Sequence, residues 1–275
     1  QALPFNERFI GIHFFSPVDK MHLVEIIKGS KTDDKTTALA IDFVNQLNKT
    51  PIVVNDGPGF FTTRVVMSYV DEGLRMLAEG ISPILIERAG KHIGMPVGPL
   101  SLIDEIGIDV AHHIQQQQSS LSTTLNQSPS YASDIISKMV THGRLGRKNQ
   151  SGFYDYPTNQ SKQLWPQMKT ALNLPPPQST DFKLTKQRLL FRQLAETTGA
   201  IQDHIISQPE AINVGAVFGW GFCPWSGGPI SLMQTMGSNA LISQANHLTS
   251  LLGQRFYIDE ESIKPYLQTT EKADE

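Results

Sequence analysis

The sequence predicts a mainly α protein with a small β remnant at its start, followed by two copies of one helical module. Short β-branched segments are confined to the first 56 residues. Beyond them the apolar residues recur at helical spacing, and "GPLSLIDEIG" (98–107) is echoed by "GPISLMQTMG" (228–237). With 275 residues, 39% of them apolar, the chain is long enough to bury two domain cores.

The β remnant is typical of the last part of an α/β domain. Residues 9–15, 23–27 and 52–54 are rich in Ile, Val and Phe and are bounded by Pro, Asp, Gly and Lys, which predicts three strands. Between the second and third strands, residues 34–48 carry apolar side chains at helical spacing, which predicts a helix. The order strand, strand, helix, strand indicates the end of a sheet whose first strands are not in this sequence.

The segments that follow are predicted to be helices with recognisable ends. A long amphipathic helix is expected over 61–79, because its apolar residues fall on one face. Ser82 and Pro83 are a good N-cap and first-turn pair for the next helix. Asp109 is expected to cap another helix, which we predict to run through Ile114.

The echoed decapeptides belong to longer recurring segments. A Ser and a Pro lie upstream of each decapeptide, and before them comes a long amphipathic helix, about 61–79 in the first case and about 184–205 in the second. The pieces keep the same order at a spacing of about 130 residues, which indicates two copies of one module.

These patterns divide the chain into four segments. Residues 1–56 are the β remnant, 57–172 the first helical module, 173–183 a linker that includes "NLPPPQST", and 184–275 the second helical module. Inside the first module, the Gln/Ser-rich stretch 115–130 is predicted to be a loop or poorly ordered.

His13 and Glu25 are the first candidates for chemistry, because both lie in segments that are otherwise suited to burial. A buried carboxylate is costly unless it is paired and hydrogen-bonded, and an imidazole is a natural partner. If the strands 9–15 and 23–27 are neighbours in the sheet, the two side chains meet. The pair is then either a general base with its orienting carboxylate or a structural ion pair, and the residues alone leave both interpretations open.

Two other stretches have both a functional and a structural interpretation. Thr62 and Thr63 stand at the predicted start of the long helix, where they either cap it or reach toward His13. "GRLGRKNQSGFYDY" (143–156) combines three cations with glycines, and it is either a phosphate-attracting loop or a solvated basic turn, of which we favour the turn.

Composition argues against several classes of function. A net charge of -3 is poorly suited to nucleic acid or an anionic membrane, and no apolar run approaches the roughly 20 residues of a membrane span. The single cysteine, Cys223, fits a reducing, cytoplasmic setting and has no activating neighbour in sequence. His112-His113 has no partner at metal-ligand spacing. The nearest string to a Gly-x-Gly-x-x-Gly dinucleotide fingerprint, "GWGFCP" (219–224), lacks the last glycine.

Five ordered motifs, which run almost from end to end, resemble the 3-hydroxyacyl-CoA dehydrogenase part of multifunctional fatty-acid oxidation enzymes. The resemblance is closest to the α subunits of the bacterial fatty-acid oxidation complex and of the trifunctional enzyme. It implies the end of a Rossmann-type NAD-binding domain followed by two dehydrogenase C-terminal modules. The motifs are "GIHFFSPVDKMHLVEII", "DGPGFFTTRVVMSYVDEGLRMLAEG", "GMPVGPLSLIDEIGIDVA", "GRLGRKNQSGFYDY" and "GFCPWSGGPISLMQTMG".

The resemblance implies specific roles for four residues. His13 is expected to take the hydroxyl proton of a 3-hydroxyacyl-CoA while hydride leaves for NAD, and Glu25 is expected to orient it. Ser16 stands at a position associated with NAD, and Thr63 at one associated with substrate. Many family members have Asn at both positions. We expect Ser16 and Thr63 to make shifted contacts there, without loss of activity.

The resemblance also implies parts that this sequence does not contain. The family's glycine fingerprint and an enoyl-CoA hydratase domain are expected upstream of Gln1, so we expect the chain alone to be inactive although its parent is an enzyme. Expected partners are an acyl-CoA substrate and a thiolase β subunit, with self-association as a further possibility. The alternative is a non-catalytic helical module for dimerisation or thiolase docking.

Overall fold

The computed structural model describes residues 5–121 and 131–267. Within these ranges the strands are Ile10–Phe14 (β1), Leu23–Lys28 (β2), Thr50–Asn55 (β3), Tyr154–Asp155 (β4) and Gln163–Leu164 (β5). The helices are Asp34–Gln46 (α1), Thr62–Ala78 (α2), Pro83–His92 (α3), Pro99–Ile106 (α4), Ile108–Leu121 (α5), Tyr131–Thr141 (α6), Met168–Ala171 (α7), Phe182–Gln202 (α8), Pro209–Trp220 (α9), Pro229–Met236 (α10), Ser238–Leu252 (α11) and Glu260–Leu267 (α12). Among these helices, none combines the length and the apolar character that a membrane crossing requires.

The three predicted strands form one sheet in the order β1-β2-β3. β1 runs antiparallel to β2, whereas β2 runs parallel to β3, with α1 as the crossover. Val24, Ile26, Ala40 and Val44 form the core between the sheet and α1. Asp33 caps α1 by accepting a hydrogen bond from the Thr36 backbone N–H at 2.7 Å. The three strands and the helix predicted for the first 56 residues are therefore confirmed.

The chain folds into two compact units. Unit 1 comprises the described residues of Gln1–Met67 and Phe191–Glu275, and unit 2 comprises those of Ser68–Leu190. Each unit therefore contains residues from three of the four predicted segments, and that segment division stays a prediction. The boundaries of the units fall inside α2 and α8.

In unit 1, helix α9 packs against the sheet. A methyl group added at Gly215 would lie 2.8 Å from Ile52 Cδ1 and 3.2 Å from Phe61 Cε1, which places the helix backbone directly on these side chains. The Trp220 ring meets the Phe61 ring edge-on with centroids 5.5 Å apart, and its Nε1 donates to Gln193 at 3.0 Å. Helix α9 is thus held both by close backbone approach and by a buried hydrogen bond.

In unit 2, α3 and α4 are joined by a buried carboxylate. Glu87 of α3 accepts hydrogen bonds from the backbone N–H groups of Leu100 and Ser101, at 2.8 and 3.2 Å. These N–H groups belong to the first turn of α4 and would otherwise have no partner within the helix. The carboxylate therefore caps α4 across the helix pair.

The two decapeptides adopt matched helices, α4 and α10. Each has proline in its first turn and a glycine at its C-cap. Asn213 of α9 accepts from the first-turn N–H groups of Ile230 and Ser231, at 2.9 and 3.4 Å, as Glu87 does for α4. These local similarities agree with two copies of one module, and the repeat itself stays a prediction.

Two local predictions are wrong. Helix α5 begins at Ile108, so Asp109 lies in its first turn and not at its N-cap, and the helix continues beyond Ile114 to Leu121. The first part of the Gln/Ser-rich stretch is therefore helical and not a loop, because glutamine is a good helix former. The rest of that stretch, 122–130, lies outside the described residues. Ser82 does occupy the N-cap position of α3, but its side chain makes no capping hydrogen bond.

Candidate active site

The register of β1 and β2 brings His13 directly opposite Glu25. The His13 Nδ1 atom lies 2.8 Å from Glu25 Oε2, as expected for neighbouring strands. Glu25 has no exposed surface, whereas 32% of the His13 side chain is exposed. The pair therefore joins a fully buried carboxylate to an imidazole with one accessible side.

Glu25 is held by the N-terminus of α2. Its Oε1 accepts hydrogen bonds from the backbone N–H groups of Phe61, at 3.3 Å, and Thr62, at 3.0 Å. Its Oε2 accepts from the Thr62 hydroxyl at 2.8 Å and from His13 Nδ1 at 2.8 Å. Helix N-termini favour anions through these free N–H groups and the helix dipole. The burial of the carboxylate is thus matched by four donors.

The hydrogen bonds determine which nitrogen of His13 carries its proton. An ionised carboxylate can only accept, so Nδ1 is the donor and Nε2 is the acceptor of the neutral imidazole. The rings of Phe15 and Phe60 lie with centroids 4.6 and 5.8 Å from that of His13. Among the described residues Nε2 has no hydrogen-bond partner. His13 therefore presents an unpaired base nitrogen beside apolar rings.

Within the described residues, the structure shows no hydrogen bond between the pair and the other two predicted site residues, Ser16 and Thr63. Ser16 follows β1 and is exposed, and Thr63 is half-buried in the first turn of α2. It is Thr62, and not Thr63, that bonds Glu25. The only local signal for Thr62 was its place at the start of a predicted helix, where capping and a role toward His13 were both possible.

The "GPGF" turn before α2 has a structural explanation. A methyl group at Gly57 would lie 2.4 Å from Ile205 Cδ1, and Gly59 has a φ of +75° that favours glycine. The turn is therefore shaped by packing and backbone conformation, and its glycines do not need a ligand to explain them.

The cations of the basic loop are paired with carboxylates. Arg147 contacts Glu105 at 2.6 Å, and Lys148 contacts Asp109. Arg144 donates to the Gly152 carbonyl at 2.6 Å and bonds Asp155, with its guanidinium over the Trp165 ring. The lysine ammonium holds the pKa of Asp109 below its usual value. These contacts support the structural interpretation of the loop over the phosphate-attracting one.

A cavity of about 480 Å³ in unit 2 does not include His13 or Glu25. Its lining residues are Glu105, Arg147, Gln150, Tyr156, Pro157, Gln160 and Lys162. Lys162 donates to the Ser101 hydroxyl at 2.6 Å, and Tyr156 donates to Asp104 at 2.9 Å. Burial raises the pKa of Asp104 to about 6, although hydrogen bonds from Phe153, Tyr154 and Tyr156 oppose the shift. Of the charged lining residues, Glu105 and Arg147 pair with each other and Lys162 is bonded to a serine outside the lining.

The remaining candidates are structural. Burial raises the pKa of the Cys223 thiol to about 12, which leaves it unreactive near neutral pH. His113 Nδ1 bonds the Asp109 carbonyl at 2.8 Å. Within residues 5–121 and 131–267, no three His, Cys, Asp or Glu side chains are grouped as a metal site would require.

Two family models match the chain. Residues 1–57 match the NAD binding domain of 3-hydroxyacyl-CoA dehydrogenase, and residues 59–156 match its C-terminal domain. Together they cover more than half of the chain, which belongs to the 3-hydroxyacyl-CoA dehydrogenase family of NAD-dependent oxidoreductases.

The relatives found among curated proteins are fatty acid oxidation complex α subunits. That of Shewanella baltica (strain OS185) is 36% identical over 258 residues, which are 93% of this chain and 36% of the relative. That of Shewanella sp. (strain ANA-3) is 34% identical over 261 residues, again 93% of this chain and 36% of the relative. The chain therefore spans little more than a third of the length of these relatives.

Solved structures with the same fold include two dehydrogenases. The dehydrogenase part of multifunctional enzyme 1 from C. elegans superposes with a TM-score of 0.68 at 25% identity, over 96% of this chain and 61% of that one. The 3-hydroxybutyryl-CoA dehydrogenase from Escherichia coli K12 gives a TM-score of 0.74, over 95% of this chain and 71% of that one. At 20% identity, the latter match shows the fold alone.

Proposed function

We propose that this chain supplies the base side of an NAD-dependent 3-hydroxyacyl-CoA dehydrogenase of fatty-acid β-oxidation. The reaction is the oxidation of (3S)-3-hydroxyacyl-CoA to 3-oxoacyl-CoA. The observation that carries the proposal is the fully buried Glu25, which holds Nδ1 of the partly exposed His13 and leaves Nε2 without a hydrogen-bond partner among the described residues. Membership of the dehydrogenase family supports the same assignment.

The proposed chemistry uses His13 as the general base. Its Nε2 accepts the proton of the substrate 3-hydroxyl as the C3–O bond becomes a carbonyl, and Glu25 stabilises the imidazolium that results. NAD, when bound, supplies the acceptor for the hydride that leaves C3. The apolar rings beside His13 keep water away from the base and so strengthen its electrostatic interaction with Glu25.

The residues of this chain fit only part of an NAD site. Ser16, exposed at the end of β1, is the residue that we assign to cofactor contact, and Thr63 is the residue that we assign to substrate. The sequence contains no Gly-x-Gly-x-x-Gly motif with which to hold a pyrophosphate. The proposal therefore assigns the base and two contacts to these residues and leaves the phosphate-binding glycines to other parts of the protein.

The helical segments are proposed to be two copies of the dehydrogenase C-terminal module. Support comes from the matched bounds of α4 and α10 and from the carboxylate or amide that caps each of them. The relatives are named as subunits of a complex, which supports a partner subunit, and we propose a thiolase β subunit in that place. An accompanying hydratase activity, self-association and a cytoplasmic setting belong to the same proposal.

The test is loss of NADH absorbance with acetoacetyl-CoA, measured on the full-length protein. Wild type is compared with His13→Gln and with the control His113→Gln, whose side chain bonds only the backbone of α5 among the described residues. We expect kcat of His13→Gln to fall at least about 100-fold, in line with the value of a positioned base, and the control to match wild type. Equal activity of all three proteins would place the base elsewhere.

The alternative is a non-catalytic helical module that serves dimerisation or docking of a thiolase subunit. The observation that favours it is that the sequence contains no dinucleotide fingerprint. The two proposals differ in one result, because a module with no catalytic role would leave dehydrogenase activity of the full-length protein insensitive to His13→Gln.

A further inference from the structure

We infer that Thr62 is a positioning residue for the His13–Glu25 pair and that helix α9 holds Thr62 in place through Gly219. This inference rests on the proposed dehydrogenase function. It assigns a role in the reaction to a helix of the second module, which the sequence places far from the two residues of the pair.

Thr62 contacts both oxygens of the carboxylate. Its backbone N–H donates to Oε1 of Glu25 at 3.0 Å and its hydroxyl donates to Oε2 at 2.8 Å. Oε2 is also the atom that accepts from His13 Nδ1. Because Thr62 donates to both oxygens of the carboxylate, it determines the plane of that group. The plane in turn determines the direction in which the imidazole of His13 is held.

Of the two hydrogen bonds from Thr62, a substitution can remove the one that its hydroxyl donates. Without it, Oε2 would keep only the bond to His13, and the carboxylate would be free to turn about its terminal side-chain bond. Thr62 is only 1% exposed, so water has little access to replace the lost donor. The expected consequence is a poorly oriented base, with the protein still folded.

Helix α9 packs against the methyl group of Thr62. A methyl group at Gly219 would lie 3.0 Å from Thr62 Cγ2 and 2.9 Å from Leu23 Cδ2. Leu23 begins the strand that carries Glu25. Because Gly219 has no side chain, the backbone of α9 can contact the Thr62 methyl group closely. This contact fixes the side chain so that its hydroxyl points at the carboxylate.

The position of α9 is independently constrained one turn earlier. Gly215 makes a similarly close approach to Ile52 and Phe61, and the Trp220 indole is anchored to Gln193. Phe61 supplies one of the backbone N–H groups that bond Glu25. The helix therefore packs on the two residues that hold the carboxylate.

The first test substitutes Thr62 in the full-length protein. Thr62→Val keeps the shape and removes the donor, whereas Thr62→Ser keeps the donor. We expect kcat of Thr62→Val to fall about 10-fold or more, the fold-change that corresponds to one hydrogen bond to a charged group, with KM within about 2-fold. Thr62→Ser keeps the donor but lacks the methyl group that α9 contacts, so we expect it to keep more of the wild-type kcat than Thr62→Val does, and the control Thr198→Val is expected to stay within about 2-fold of wild type. Thr198 is equally buried, and its hydroxyl bonds only a backbone carbonyl of its own helix.

The second test asks whether Gly219 acts through Thr62. The Gly219→Ala variant is expected to lower kcat, because the new methyl group would lie 3.0 Å from Thr62 Cγ2 and 2.9 Å from Leu23 Cδ2. Combining it with Thr62→Ser removes the first of these contacts, so the double variant is expected to recover the part of the lost kcat that acts through Thr62. A double variant with additive losses would overturn the role of α9. This test does not require Thr62→Val to fold.

The outcomes separate this inference from the function on which it rests. If His13→Gln is as active as wild type, the proposed dehydrogenase base is wrong. If His13→Gln is inactive but Thr62→Val keeps the kcat of wild type, the proposed function stands and the positioning role of Thr62 is overturned. Thermal unfolding of each variant identifies losses that come only from misfolding.

Discussion

Replacing Glu25 by glutamine tests the reasoning about His13 most directly, because glutamine keeps the shape of the side chain and changes its hydrogen bonds. The amide oxygen is expected to face the backbone N–H groups of Phe61 and Thr62, where only an acceptor fits. The amide NH₂ then faces the Thr62 hydroxyl and His13 Nδ1. Both must become acceptors, so the proton of the imidazole moves to Nε2.

A histidine with its proton on Nε2 cannot accept the substrate proton there. We therefore expect kcat of Glu25→Gln to fall by about 10²–10⁴-fold, the range of a positioned general base. The free energy of unfolding is expected to fall by only about 1–2 kcal/mol, because hydrogen bonds to a charged acceptor are exchanged for neutral ones.

Two measurements on the full-length protein check this prediction. Formation of NADH from NAD and (3S)-3-hydroxybutyryl-CoA, the direction in which His13 accepts a proton, gives kcat, and long-range proton–nitrogen NMR of labelled histidine reports which ring nitrogen is protonated. Glu105→Gln, a change in an exposed pair with Arg147, is the matched control. A Glu25→Gln protein that keeps the kcat of wild type, or one that loses activity with Nδ1 still protonated, would refute the reasoning.

Three further predictions follow from the described contacts. Arg188→Met is expected to lower the free energy of unfolding by about 3–5 kcal/mol in urea titrations, because it removes the guanidinium that pairs with the fully buried Glu72, whereas Lys264→Met at an exposed pair should change it by at most about 1 kcal/mol. Burial raises the pKa of Asp104 from 3.8 to about 6, so the folded state binds its proton more tightly than the unfolded state does. Its contribution is fully present below the unfolded pKa and is lost as pH rises through about 6, and wild type should therefore lose about 2 kcal/mol more than Asp104→Asn between pH 4 and pH 7. The isolated 275-residue chain is expected to give no NADH-dependent turnover, since its sequence contains no dinucleotide fingerprint, and measurable turnover would contradict this.

The local elements near the site could be predicted from the sequence because their apolar spacing differs clearly between strand and helix. The sequence predicts contact between His13 and Glu25 only if their two strands are neighbours in the sheet. The antiparallel register of β1 and β2 shows that they are. The contact between Gly219 and Thr62 joins residues that are distant in the chain, and no local pattern encodes it. The polar composition of residues 115–121 predicts a loop, and this prediction is wrong. The stretch is helical, because glutamine is a good helix former.

The donors around Glu25 support the functional interpretation of the pair that we propose over the structural one. Burial of a carboxylate costs several kcal/mol, and each hydrogen bond to it is worth about 1.5–3 kcal/mol. Phe61 and Thr62 already supply three such bonds, so the carboxylate is largely satisfied by the start of α2 alone. A histidine is then not required to make Glu25 tolerable in the interior. His13 is instead the member that gains from the pair, because the bond fixes its tautomer and leaves Nε2 without a partner among the described residues, on a ring that is partly exposed. This supports the catalytic role that we propose.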